Sequence, residues 1–179
     1  VHTYQNFYWK CSDHSIVLGL NADTRLLVVG PLYHVGAFDL PGVGVLWRGG
    51  MLAIQRDFDP VKCLHLIEKE QLNAGWLAPV MTSAMLESAK SEEVNLSSMK
   101  WIIGGGERTP EKRIEEFSQV FTRARYIDAY GLTESGSGDT FMVEGRELEK
   151  IGSTGRATPS VEIKIINEMG AALPSLSLI

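Results

Sequence analysis

Five consecutive residues, Tyr130-Gly131-Leu132-Thr133-Glu134, combine the groups that a phosphate-bearing aromatic ligand needs. Tyr130 offers a ring that can stack on a base. Gly131 has no side chain to keep a ligand off the backbone. Thr133 offers a hydroxyl to a phosphate oxygen, and Glu134 a hard carboxylate oxygen suited to Mg²⁺. The same residues would also serve as a strand-end turn with a surface glutamate, so the segment alone leaves both readings open.

Gly104-Gly105-Gly106-Glu107 is a second candidate. Three glycines remove side chains where a flat or long ligand could pass the backbone. The run is not G-x-G-x-x-G, so a dinucleotide fingerprint fits poorly, and a tight strand-to-helix turn fits as well. Gly152-Ser153-Thr154-Gly155-Arg156 is a third polar, glycine-rich loop. It lacks the Gly-Lys-Ser/Thr ending of a triphosphate-binding P-loop, and turn chemistry alone accounts for it. His34 lies in Pro31-Leu32-Tyr33-His34-Val35-Gly36, just past an apolar run. A lone histidine is more often structural than catalytic, and His2, His14 and His65 carry no motif. Neither a G-x-S-x-G elbow nor a Ser-His-Asp order is present, which leaves hydrolase chemistry unsupported.

The elements that must position these residues alternate. Short apolar runs are separated by helical stretches, which argues for βαβ units with a parallel sheet. Strands are expected at Leu26–Val29, Met51–Ile54, Trp76–Ala78, Trp101–Ile103 and Tyr126–Ala129. Helices are expected at Gly36–Trp47, from Asp59-Pro60 to about Asn73 with Gly75 as its stop, from Pro79 to about Lys90, and after Thr109-Pro110. Val161–Ile166 alternates partly and then turns at Asn167–Gly170, as an antiparallel element would. The predicted fold is therefore α/β: three αβα layers with a mostly parallel sheet, and the start of an antiparallel β element near the C-terminus. In such sheets ligands bind beyond the carboxyl ends of the strands, where two of the three loops stand.

Bulk composition narrows the partners. The 179 residues are 44% hydrophobic and 22% charged, with a net charge of −5. No basic stripe marks a nucleic-acid surface, and no run reaches the roughly 18 apolar residues of a membrane span. Cys11 and Cys63 are neither in a C-x-x-C pair nor at metal-ligand spacing from a histidine. They read as free thiols of a reducing compartment, the cytoplasm. The oligomeric state is not legible.

In this order, the segments resemble the adenylate-forming superfamily of acyl-CoA synthetases, luciferases and peptide-synthetase adenylation domains. Pro31-Leu32-Tyr33-His34 is similar to the family's "PLFH", Phe58-Asp59-Pro60 to "FDP" and Gly105-Gly106-Glu107 to "GGE". Asp128-Ala129-Tyr130-Gly131-Leu132-Thr133-Glu134 is similar to "DxYGxTE", the most specific of the set. Gly152 through Ile165 resembles "GSVGRPxPGxEIKI".

The resemblance implies an ATP-dependent, AMP-forming acyl-CoA synthetase. A carboxylate is activated as acyl-AMP and passed to coenzyme A; an all-glycine wall at Gly104–Gly106 leaves room for a chain, so a medium- or long-chain fatty acid is the expected substrate. By position, Tyr130 would stack on adenine. Gly106, Glu107, Arg108, Asp128, Ala129, Gly131 and Leu132 would line the nucleotide, Thr133 would meet the α-phosphate, and Glu134 would hold Mg²⁺. His34, Gly104 and Gly105 would border the acyl pocket, with His34 near the reacting carboxylate.

Several family parts are missing. There is no Pro-Lys-Gly loop, no ribose-binding "TGD" and no C-terminal domain with its lysine; Ser160 replaces the usual glycine, and Pro174–Ile179 do not continue into "GEI". The chain thus reads as an internal fragment: residues 1–150 as an α/β subdomain, and 151–179 as the beginning of a β subdomain. Such a fragment is expected to be inactive alone. The rival readings are a non-catalytic or degenerate α/β nucleotide-binding domain, a peptide-synthetase adenylation domain, and a luciferase-like enzyme. Phe38-Asp39 lies four residues away from where peptide-synthetase domains carry that pair.

Overall fold

The computed structural model describes residues 1–107 and 109–173. Arg108, expected at the nucleotide site, and the Pro174–Ile179 tail lie outside the described residues. Helix α1 (Tyr4–Leu18) comes first. Thr3 caps it by accepting from the Asn6 amide, while the Asn6 side chain returns a bond to the Thr3 backbone. Gly19, at φ 65, ends it in the left-handed conformation. This helix is hard to see in the sequence because its buried face mixes Cys11 and Leu18 with Asp13 and His14.

Seven strands form one sheet in the order β2-β1-β3-β4-β5-β6-β7. The parallel strands are β1 (Arg25–Val28), β2 (Met51–Ile54), β3 (Ala74–Leu77), β4 (Trp101–Gly105) and β5 (Arg125–Tyr130). Two antiparallel strands, β6 (Thr140–Phe141) and β7 (Arg156–Ala157), complete it. Alternate residues split into two cores. Val28, Trp76, Ile103 and Ile127 pack with Leu18 of α1 and Val45 of α2 (Gly44–Trp47). Leu27, Leu77, Ile102 and Tyr126 pack on the opposite face, against α3 (Pro60–Glu70), α4 (Pro79–Ser88) and α5 (Glu111–Val120). The arrangement is three-layered and mostly parallel, as expected from the alternation.

Four local expectations shift. The expected helix 36–47 shrinks to a π-helical turn at Asp39–Val43 followed by α2, because Leu40 and Pro41 are not helical. Helix α3 stops at Gln71, which takes the left-handed cap at φ 50; Gly75 lies inside β3, opposite Leu27 and Ile102. Pro110, not Thr109, occupies the N-cap of α5, because the Thr109 hydroxyl is committed to Asp128. Val161–Ile166 joins no strand; an isolated bridge between Ile166 and Ala172 closes the expected Asn167–Gly170 turn. Ile163, Ile165 and Ile166 are 42%, 42% and 59% exposed, so no described core rewards strand pairing there.

Strands β4 and β5 approach closely at Gly104, where a Cβ would collide with the Tyr126 hydroxyl, on a residue only 3% exposed. Gly104→Ala is expected to lower stability by about 1–3 kcal/mol through overpacking. Chemical denaturation checks this, and a Tyr126→Phe background should recover part of the loss; an unchanged midpoint would contradict it.

Candidate functional site

The carboxyl ends of β4 and β5 open side by side, with Gly104 opposite Asp128 and Gly105 opposite Ala129. The chain leaves β4 through Gly106, whose φ of 92 suits glycine and beside which an added Cβ would meet open space. A cavity of about 370 Å³ lies between the two strand ends. Gly106, Glu107, Asp128, Ala129, Tyr130, Gly131 and Leu132 line it, together with Thr109 and the Gly152-Ser153-Thr154 loop. The structure therefore gathers most residues expected at the nucleotide. It adds the 152–154 loop, for which turn chemistry alone had been a sufficient reading.

Asp128 is the buried polar group of this cavity, at 8% exposure. Thr109 donates its hydroxyl to Asp128 Oδ1 at 2.9 Å and lies 3.2 Å from the Tyr126 hydroxyl. Burial raises the Asp128 carboxyl above its ordinary range, and the Thr109 bond offsets part of that. Burial likewise raises the Tyr126 phenol. Tyr130 is 47% exposed and walls two spaces at once. On its other side lies a larger cavity of about 880 Å³, bounded by Asn6, Trp9 and Lys10 of α1 and by residues 160–164.

Thr133 and Glu134 sit in a single 3₁₀ turn (Thr133–Ser135) and are both exposed. They line neither cavity but follow directly from Leu132, which does. His2 reaches this turn: its Nε2 lies 2.7 Å from the Thr133 carbonyl oxygen, to which it donates. His34 stands apart, exposed beyond the end of β1; its Nδ1 accepts from the Gly36 amide at 3.0 Å, and its ring lies 5.9 Å from that of Trp76. Gly104 and Gly105 also line neither cavity, and the space beside Gly104 is filled by the Tyr126 phenol.

Helix α1 supplies the residues that motif reasoning passed over. Lys10 pairs with Asp139. Asp13, 1% exposed, accepts from the Thr158 hydroxyl at 2.8 Å and from the Ser160 hydroxyl at 3.0 Å. His14, also 1% exposed, meets Phe141 edge-on; the backbone of Ser137 and Gly138 lies beside its ring but gives neither nitrogen a well-formed hydrogen bond. The available signal was spacing: Asn6, Lys10 and His14 recur every four residues, a polar stripe on one helical face.

Burial first, and then the nearby Lys10 charge, lower the His14 imidazole to about 4. The folded state thus holds His14 neutral where the unfolded chain binds a proton. Stability should fall as pH drops from about 6.5 toward 4, by roughly 3 kcal/mol in all from this group. Denaturation midpoints of the parent and of His14→Phe across that range test it. The substitution should flatten the profile, and an equally steep profile would contradict the assignment.

The model of the family described as "AMP-binding enzyme" matches residues 1–175. A feruloyl-CoA synthase of Amycolatopsis is 26% identical over 172 residues, covering 96% of this chain and 35% of the relative. A long-chain-fatty-acid–CoA ligase of Mycobacterium tuberculosis is 27% identical over 170 residues, covering 95% and 33%. Among solved structures, o-succinylbenzoate coenzyme A synthetase of Bacillus subtilis in complex with AMP superposes with a TM-score of 0.84 at 25% identity, covering 96% of this chain and 34% of that one. The chain spans about a third of the length of the curated relatives it matches.

Proposed function

Because the chain belongs to the AMP-binding enzyme family, we propose that it forms the nucleotide-binding part of an ATP-dependent acyl-CoA synthetase, an acid–thiol ligase. The observation that carries this reading is the cavity between β4 and β5, where an aromatic ring, a buried carboxylate and a glycine-backed floor converge. Tyr130 would stack on adenine, and Asp128 would accept from its amino group with the oxygen that Thr109 leaves unused. Gly106, Glu107, Ala129, Gly131 and Leu132 would bound the base and sugar, joined by Ser153 and Thr154.

The reaction would proceed in two steps. A carboxylate oxygen bonds to the α-phosphorus of ATP as pyrophosphate leaves; the thiol of coenzyme A then attacks the acyl carbonyl and AMP leaves. Negative charge gathers on phosphorus in the first step, and the Thr133 hydroxyl would donate to it from a preset turn. Among the described residues, no group of three or more His, Cys, Asp or Glu is gathered for a metal. A cation would therefore rest on Glu134 and phosphate oxygens, the usual habit of Mg²⁺. Bound there, Mg²⁺ would neutralise phosphate charge.

We assign His34, Gly104 and Gly105 to the acyl side. The substrate is proposed to be a medium- or long-chain carboxylate, on the strength of the fatty-acid ligase relative. The glycine wall adds less support than its composition suggests, since Tyr126 takes the space beside Gly104. Residues 151 onward would begin a second, β-rich subdomain. Two free cysteines favour a cytoplasmic setting; no helix among the described residues is long and apolar enough to cross a membrane.

Titration with AMP tests the nucleotide assignment in the full-length protein. Tyr130→Ala should weaken AMP by roughly 1–3 kcal/mol, as loss of a base–aromatic stack does; unchanged affinity would contradict it. The 179-residue chain alone should show no ATP–pyrophosphate exchange, since the Pro-Lys-Gly loop and the lysine-bearing domain are not in it; measurable exchange would refute that. Pyrophosphate release by the full-length enzyme against a panel of acids should favour fatty acids over acetate and amino acids.

A further inference from the structure

We propose that Lys10 is a positioning residue for the Thr133–Glu134 turn, acting through Asp139 and Ser135. The inference rests on the nucleotide-site reading above. Lys10 and Asp139 are 129 residues apart in sequence, and their side chains are only 13% and 8% exposed. An exposed ion pair contributes little. This one is shielded from solvent, and breaking it would leave a buried carboxylate without its counter-ion.

The remaining links run from Asp139 to the turn. Lys10 engages Asp139 Oδ1, while Oδ2 accepts from the Ser135 hydroxyl at 2.5 Å. A hydroxyl has one proton. The Leu132 carbonyl oxygen, 2.9 Å from the Ser135 oxygen, competes for that proton, but the shorter contact to a carboxylate takes it; the Ser135 oxygen is then left to accept from the Leu132 amide, 3.2 Å away. Three polar contacts thus tie α1 to the residue that opens the turn.

The turn needs such a tie. Gly136, Ser137 and Gly138 follow it with φ of 82, 62 and 65. Ser137 is a non-glycine residue in the left-handed region, a conformation that persists only where its surroundings enforce it. The stem of Lys10 also packs over Gly136, where an added Cβ would lie 3.4 Å from Lys10 Cγ. Charge points the same way. Asp139 lies five residues beyond Glu134. Unpaired, it would add a second negative charge on the side where the phosphates would arrive; Lys10 cancels it.

The test uses the full-length protein with Lys10→Met, Lys10→Arg and the double variant Lys10→Met/Asp139→Asn. Three quantities are read: ATP–pyrophosphate exchange kinetics, hydrogen–deuterium exchange of amides 132–139, and the thermal midpoint. Lys10→Met should lower kcat roughly tenfold or more with little change in KM for ATP, as misplacement of reacting groups does, and should deprotect amides 132–139. Lys10→Arg should retain most of both; the double variant should regain part of kcat because the unpaired carboxylate is gone, while amides 132–139 stay deprotected because the tie to α1 is still missing. Wild-type kcat and protection in Lys10→Met would overturn the proposal. So would a loss that tracks the thermal midpoint alone and is not recovered in the double variant. If Lys10→Met does not fold, Asp139→Asn alone decides: it keeps an acceptor for Ser135 but loses the ion pair, so faster deuteration of 132–139 supports the proposal and unchanged deuteration overturns it. The deuteration readout needs no activity. A parent enzyme without ATP–pyrophosphate exchange would sink the functional reading while leaving this one tested.

Discussion

The parallel pairing of β4 with β5 is the constraint on which the candidate site depends. It brings Gly104 and Gly105 beside Asp128 and Ala129 and sends both chains out at the same edge of the sheet. Parallel neighbours require a crossover, here α5, so the two strand ends must diverge above the sheet. The gap between them is the cavity. Gly106, just past β4, and Gly131, just past β5, leave backbone on its walls, and Thr109 and Asp128, joined by a hydrogen bond, also line it.

A second layer of support comes from α1, which crosses one face of the sheet and holds the segments that leave it. Asp13 binds Thr158 and Ser160, which follow β7. His14 lies against Phe141 of β6. His2, just ahead of the helix, donates to the Thr133 carbonyl, and Lys10 meets Asp139. The helix therefore buries polar and charged groups where a purely structural helix would bury aliphatic ones. Buried polar groups are costly unless partnered, and those of Asp13 and Lys10 are spent on loops near the site.

The sheet and its three layers were legible because strands buried on both faces carry continuous apolar runs, such as Leu26–Val29 and Trp101–Ile103. The candidate site was legible because glycine, an aromatic and acids cluster at two strand ends. Other features were hidden for identifiable reasons. Helix α1 has no clean apolar period, since its inner face includes Asp13 and His14. Thr109 looks like a helix cap, but Asp128, 19 residues later in the chain, claims its hydroxyl. Gly75 looks like a helix stop, but Gln71 takes that conformation first. Long-range polar partners of this kind leave no local trace. The glycine run at 104–106 suits a ligand passage and a tight turn equally in the sequence; only the structure shows that Tyr126 fills the space beside Gly104.

The central claim is that adenine sits between the ends of β4 and β5, against Tyr130. Photolabelling of the full-length protein with an 8-azidoadenine nucleotide, followed by peptide mapping, addresses it directly. Label competed away by AMP should fall within residues 126–134 and 105–109. Competed label on α1, or on residues 160–164 across the larger cavity, would contradict the account.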